Sequence, residues 1–168
     1  RASALGGAAS NWIFQPRRFV ESWRFKGDEA AALLHAWVAL LDACCHDGDL
    51  LLSLVAEDDG TIIGQVTYST ARLSNGEEGW KVIGPIAVEP SRQGEGIGRA
   101  LMDAGEQAMR ARGSKGITVL GDPQLYGRFG YVQHTPMKLE GELGEFLQVK
   151  SFGAAIPAAT ISYAPAFG

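Results

Sequence analysis

Along the chain, apolar and polar positions alternate in some stretches and recur every three to four residues in others. Leu33, Trp37, Leu40, Leu41 and Cys44 fall at helical spacing in an Ala- and Leu-rich run that Asp28 can cap, which predicts a largely buried helix from Glu29 to about Cys45. Asp47-Gly48-Asp49 then breaks the pattern. Leu50 to Glu57 and Thr61 to Ser69 are strand-like, and Asp58-Asp59-Gly60 between them supplies a hairpin turn. After a polar loop around Ser74 to Gly79, Trp80 to Val88 predicts a third strand. Proline removes a ladder donor, so Gly84-Pro85 predicts a bulge or a separation from a neighbour. A second helix is predicted from Ile97 to about Arg112, with Ile97, Leu101, Ala104, Ala108 and Ala111 on its buried face and Gly113 ending it. Ile117 to Leu120 is a short buried strand, and Tyr126 to Tyr131 a compact turn or helical segment. Val132 to Leu139 and Thr160 to Tyr163 are read as the last strands. Strand, helix and strand across residues 80 to 120 imply one parallel pair joined by a crossover.

The first 27 residues carry a weaker pattern, with a short strand at Trp12 to Phe14 and a short helix marked by Phe19 and Trp23. With 168 residues the chain has the size of a single domain, residues 1–168, and shows no internal repeat. The 22 glycines are scattered, which indicates turns and ligand loops rather than low complexity. A formal net charge of −4 argues against general nucleic-acid binding, which needs a basic face. Neighbouring residues cannot easily close a disulfide, and Cys44 and Cys45 fit a reducing cytoplasm. The longest apolar stretch, Leu33 to Leu41, is too short to span a bilayer.

The segment Val88-Glu-Pro-Ser-Arg-Gln-Gly-Glu-Gly-Ile-Gly-Arg-Ala-Leu101 carries the chemistry. Glycines at 94, 96 and 98 leave backbone N–H groups uncovered where a helix begins, and the positive end of the helix dipole adds to their attraction for a phosphate. Arg92 and Arg99 can add charge. A P-loop would need Gly-Lys-Ser/Thr, where this chain has Gly98-Arg99-Ala100. A dinucleotide fingerprint starting at Gly94 would need glycine at position 99, although Asp122 stands near the distance expected of a ribose ligand. A dinucleotide-binding oxidoreductase therefore stays as an alternative, as does a non-catalytic acyl-CoA-binding sensor.

Gln93-x-x-Gly96-x-Gly98, after a strand and opening a helix, resembles the acyl-CoA-binding motif of the GCN5-related N-acetyltransferases. Tyr126-Gly-Arg128-Phe-Gly130-Tyr131 resembles a second motif of that family. Leu120 to Gly130 and the ending Ser162 to Phe167 are similar to its YhbS-like branch. The resemblance implies a mixed α/β (α+β) acyl-CoA N-acyltransferase fold, with a mostly antiparallel sheet, one splayed parallel strand pair and flanking helices. It implies acetyl-CoA as cosubstrate and a small-molecule or peptide amine as acceptor, with no nucleic-acid or membrane partner. A homodimer is left open. The loop amides of Gly94, Glu95, Gly96, Ile97, Gly98 and Arg99 would meet the pyrophosphate, with Gln93 and Arg128 as further cofactor contacts. Ile86, Ala87 and Val88 would run along the pantetheine arm. Tyr126 matches the tyrosine that protonates the departing thiolate; a phenol near pKa ~10 is a workable acid for a thiol near ~8.5. A backbone N–H of the bulged strand, that of Val88, would meet the oxyanion.

No general base is named. Val82, Ile83 and Gly84 stand where many relatives carry a glutamate, and Glu77 and Glu78 lie earlier in a loop. Of the three histidines, His35 is a packing residue, His46 sits near a helix C-terminus and His134 has no partner in the pattern. No metal-site spacing occurs. The acceptor-binding loops would come from the Asp28–Gly48 region and the residues before it.

Overall fold

The computed structural model describes residues 50–59 and 61–163. The helix expected at Glu29 to Cys45, the elements expected before it, and His35, Cys44, Cys45 and His46 lie outside the described residues.

Strands β1 (Leu50–Asp58) and β2 (Thr61–Thr70) form the expected hairpin, with Asp59 at φ +46° in its turn. A short β3 (Arg72–Leu73) follows, then β4 (Trp80–Val88), helix α1 (Ile97–Ala111), β5 (Gly116–Leu120) and the one-turn helix α2 (Pro123–Tyr126). Strands β6 (Leu147–Ser151) and β7 (Ile161–Ser162) close the order. Five strands make one sheet in the order β1-β2-β4-β5-β6, and β3 pairs with β7 in a second. Within the large sheet only β4 and β5 run parallel; the other neighbours are antiparallel.

Two features of β4 place the site. Val66 pairs with Ile86 but Tyr68 pairs with Ile83, so Gly84 and Pro85 together face Thr67 in a bulge. Thr67 satisfies the bulge by donating its hydroxyl to the Gly84 carbonyl at 2.5 Å. Beyond it, β4 leaves β5: their pairing runs only from Trp80–Gly116 to Val82–Thr118. The splay expected from Gly84-Pro85 is present.

Helix α1 covers one face of the sheet with Ile97, Leu101, Met102, Gly105, Glu106 and Met109. The expected face was wrong in its second half. Ala104 and Ala111 are exposed, and Met102 and Met109 hold the core instead. Alanine counted as apolar in the pattern but has little surface to bury, so the larger methionines turn the helix toward themselves. Gly105 lets the helix come down onto Tyr68, which is fully buried and donates its hydroxyl to the Met102 carbonyl at 3.3 Å. A Cβ at Gly105 would overlap the Tyr68 ring. Gly105→Ala is therefore expected to destabilise the fold by about 1–3 kcal/mol, by overpacking. In an exposed helix the same change would stabilise by up to ~1 kcal/mol, so the sign found in chemical denaturation decides the matter.

The strand expected at Val132 to Leu139 does not form. His134 sits at φ +55°, Pro136 follows it, and only single bridges remain, Val132 to Val149 and Lys138 to Thr160. The antiparallel partner of β5 is β6, a strand that the hydrophobic pattern did not predict. The last strand is shorter than Thr160 to Tyr163 and pairs with β3. A second core of Leu73, Trp80, Met137, Leu147, Val149 and Ile161 fills the other face there.

Candidate functional site

β4 and β5 are parallel and separate toward their C-terminal ends, and the segment beyond each strand carries one of the two motifs. Past β4, a 3₁₀ turn (Pro90–Arg92) leads into the glycine loop. Gly94 and Gly96 lie at φ +86° and +84°, a conformation that side chains with a Cβ rarely adopt, and a Cβ at either would point into open space. Gly96 is the N-cap of α1 and offers no side-chain cap. The first capping bond runs from the Ala100 amide to the Gly96 carbonyl at 3.0 Å. The amides of Ile97, Gly98 and Arg99 thus have no acceptor within the helix, and the chain over them is bare. These features fit a diphosphate held by backbone N–H groups and the helix dipole.

The strand edge is equally exposed. The Glu89 amide donates to Ile63 on β2 at 2.9 Å, so by the alternation of a strand the peptide groups of Val88 and Ile86 face the other way, into the gap. The Gln93 side chain donates to the Val88 carbonyl at 3.2 Å, which ties the loop to the strand end and leaves the Val88 N–H facing the gap. Ala87, by contrast, turns its peptide toward β2, opposite Gln65.

Across the gap, β5 ends at Leu120 and α2 begins. Asp122 caps α2 by accepting from the Gln124 amide at 2.8 Å, which occupies the carboxylate that a dinucleotide reading would have assigned to a ribose. Tyr126 is the last residue of α2. Its ring lies against Gly121, where a Cβ would come within 2.5 Å, and packs edge-on to Tyr131 with centroids 5.9 Å apart at 71°. Tyr126 is 7% exposed, and its hydroxyl makes no hydrogen bond among the described residues. Burial raises its pKa, so the phenol is protonated at neutral pH. The Arg99 guanidinium lies 5.0 Å from the centroid of Phe129, in the turn after Tyr126, and so joins the two motifs. Arg128 is in the same turn and exposed.

Not every charge goes where the sequence suggested. Arg92 turns from the loop amides to Asp58 and Glu95. Glu77 receives Lys115 at 2.9 Å and the Trp80 indole at 3.3 Å; the Lys115 contact, ahead of the others, lowers its pKa. It is a structural carboxylate. His134 is exposed and outside any strand.

Behind Tyr131 lies a buried polar group that the sequence pattern does not reveal. Glu106 on α1 pairs with Lys150 on β6 at 2.5 Å, and the Lys150 ammonium lies 5.5 Å from the Tyr131 centroid. Burial above all, and then the Glu106 charge, push the Tyr131 phenol far up, though its hydroxyl stays outside hydrogen-bonding geometry. Lys150 was missed with its strand, and Glu106 because the buried face of α1 was misplaced.

The pattern that defines the acetyltransferase (GNAT) family matches residues 12–131. The chain belongs to that family. The uncharacterized N-acetyltransferase YhbS of Escherichia coli strain K12 is 35% identical over 108 residues, which are 64% of this chain and 60% of that protein. This chain thus spans less than two thirds of the length of the curated relatives it matches. A GNAT family acetyltransferase from Brucella melitensis, crystallised with acetyl-CoA, is 35% identical with a TM-score of 0.68, over 78% of this chain and 77% of that one. The crystal structure of YhbS from Escherichia coli, in complex with CoA, is 31% identical with a TM-score of 0.70, over 79% and 77%. The expected fold, a mostly antiparallel sheet with one splayed parallel pair, is the fold found. Among the described residues no helix is long and apolar enough to cross a membrane.

Proposed function

We propose that this chain is an acetyl-CoA-dependent N-acetyltransferase, which moves the acetyl group to a primary amine of a small molecule or peptide. The observation that carries the reading is the gap between β4 and β5, bordered by a bare helix N-terminus on one side and Tyr126 on the other. Solved relatives that hold acetyl-CoA and CoA support the choice of ligand. A cytoplasmic location belongs to the same reading and rests on the adjacent Cys44 and Cys45.

Acetyl-CoA supplies a thioester carbonyl as electrophile and a thiolate as leaving group. The amides from Gly94 to Arg99 hold the diphosphate, with Arg99 and Arg128 as the nearby cations. The peptide group of Ile86 pairs with an amide of the pantetheine arm, as an added strand would. The Val88 N–H faces the oxygen on which charge develops during amine attack, where a fixed donor is worth most. Tyr126 delivers its hydroxyl proton to the sulfur as the carbon–sulfur bond breaks. No described carboxylate stands on β4 to act as base, so the amine arrives neutral, the proton its nitrogen sheds as the amide forms passes to water, and the Tyr126 phenolate regains its proton from water.

The test is ligand-dependent melting, followed by a panel of primary amines. At about 100 times Kd, CoA stabilises a protein that binds it only when folded by ~2.7 kcal/mol. For a chain of this size that is a rise of about 5–10 °C. CoA and acetyl-CoA are expected to produce it, and NAD and ATP are not. A rise with NAD and none with CoA would sink the proposal.

A further inference from the structure

An acidic residue lies inside the loop that the proposed function assigns to a diphosphate. Glu95 sits between Gly94 and Gly96, and its carboxylate has the wrong sign for an anion held by the neighbouring amides. Arg92 answers it. The Arg92 Nε lies 2.9 Å from both Glu95 carboxylate oxygens, and its Nη1 donates to Asp58 at the tip of the β1–β2 hairpin, also at 2.9 Å. The guanidinium side chain is 30% exposed, less than either carboxylate. The left-handed Gly94 folds the chain back so that residues 92 and 95 meet. Two acceptors on different segments therefore hold one guanidinium fork in a fixed place, the geometry for which arginine is suited and lysine is not.

We propose that Arg92 is a positioning residue rather than a phosphate ligand: it neutralises Glu95 and holds the carboxylate toward the β1–β2 hairpin, so that the amides present an uncompensated positive field. The inference rests on the proposed function, because it gives the loop a diphosphate to hold. It separates two roles that a bare sequence confounds. An arginine that grips phosphate is needed whatever stands at position 95. One that masks Glu95 is needed only while the carboxylate is there.

A double-mutant cycle on CoA affinity tells these apart, with no acceptor amine required. Calorimetric titration of CoA into the full chain is carried out at about 0.05 M and 0.5 M salt for wild type, Arg92→Gln, Glu95→Gln and the pair. Both side chains lie at the surface, so the variants are expected to fold, which melting midpoints without ligand check. At low salt Arg92→Gln is expected to lose about 5- to 10-fold in affinity and Glu95→Gln to gain about two- to threefold. The double variant is expected to return to within about twofold of Glu95→Gln. The loss in Arg92→Gln should shrink at high salt, where the Debye length falls to a few ångströms. The same loss from Arg92→Gln whether or not Glu95→Gln is also present would make Arg92 a direct ligand and overturn the inference. So would an unchanged affinity in Arg92→Gln, or a fall in Glu95→Gln. A wild-type chain that binds no CoA would instead remove the proposed function itself.

Discussion

Replacing Tyr126 by phenylalanine is expected to lower turnover by roughly 10²- to 10⁴-fold while leaving acetyl-CoA affinity within about twofold. The substitution keeps the ring, its seat against Gly121 and its edge-on contact with Tyr131, and removes only the hydroxyl. That hydroxyl makes no hydrogen bond among the described residues, so its loss orphans no described partner and should cost little stability. The interaction removed is one made with the leaving sulfur as charge builds there, which belongs to the transition state and not to the ground state. Turnover with an amine found in the panel, and affinity by titration, are measured on the same folded protein. Near wild-type turnover would reduce Tyr126 to a packing residue, and a loss of affinity would assign it to binding.

The pH profile adds a second signature. Burial raises the Tyr126 pKa, so the phenol is protonated below it and an acid-dependent rate falls only as pH rises through that raised value. An alkaline limb in the wild type that disappears in Tyr126→Phe would belong to this group.

How far the site was legible depends on where its signals lie in the chain. The glycine loop and the Tyr126 segment are local: each is set by a few adjacent residues whose backbone needs do not depend on distant contacts, and the loop opens α1 while Tyr126 closes α2. Gly84-Pro85 was legible for the same reason, since a proline lacks its donor in any context. The illegible parts depend on pairing. Val132 to Leu139 has strand-like ends, but His134 in a left-handed conformation and Pro136 interrupt it. Leu147–Ser151 alternates over only five residues, and its polar positions Gln148 and Lys150 reach Gly121 and Glu106 rather than facing solvent. A period-two pattern, Leu147 and Val149, was there to be found, but polar residues between and after them hid a strand covered on both faces. The Glu106–Lys150 pair, 44 positions apart in sequence, has no local signature at all.

Gly96→Val is expected to weaken CoA binding by about 10²- to 10³-fold while the chain still folds. The residue stands at φ +84°, where a β-branched side chain is strained by roughly 1–3 kcal/mol, a cost the fold can bear. The space around it is open, so no core contact is lost and a Cβ there meets no described atom within 4 Å. The damage falls on the ligand. A valine there adds bulk at the open N-cap of α1, in the space from which a phosphate would approach the amides of Ile97, Gly98 and Arg99. Each charge-assisted bond lost is worth about 1.5–3 kcal/mol, so two at the lower end of that range account for the expected drop. Relief of the strain by rotating residue 96 out of the left-handed region would move the same amides and weaken binding further. Chemical denaturation alongside CoA titration separates the two effects. A folded Gly96→Val chain with wild-type affinity would mean that the loop is only a turn and that the diphosphate, if the chain holds one, sits elsewhere.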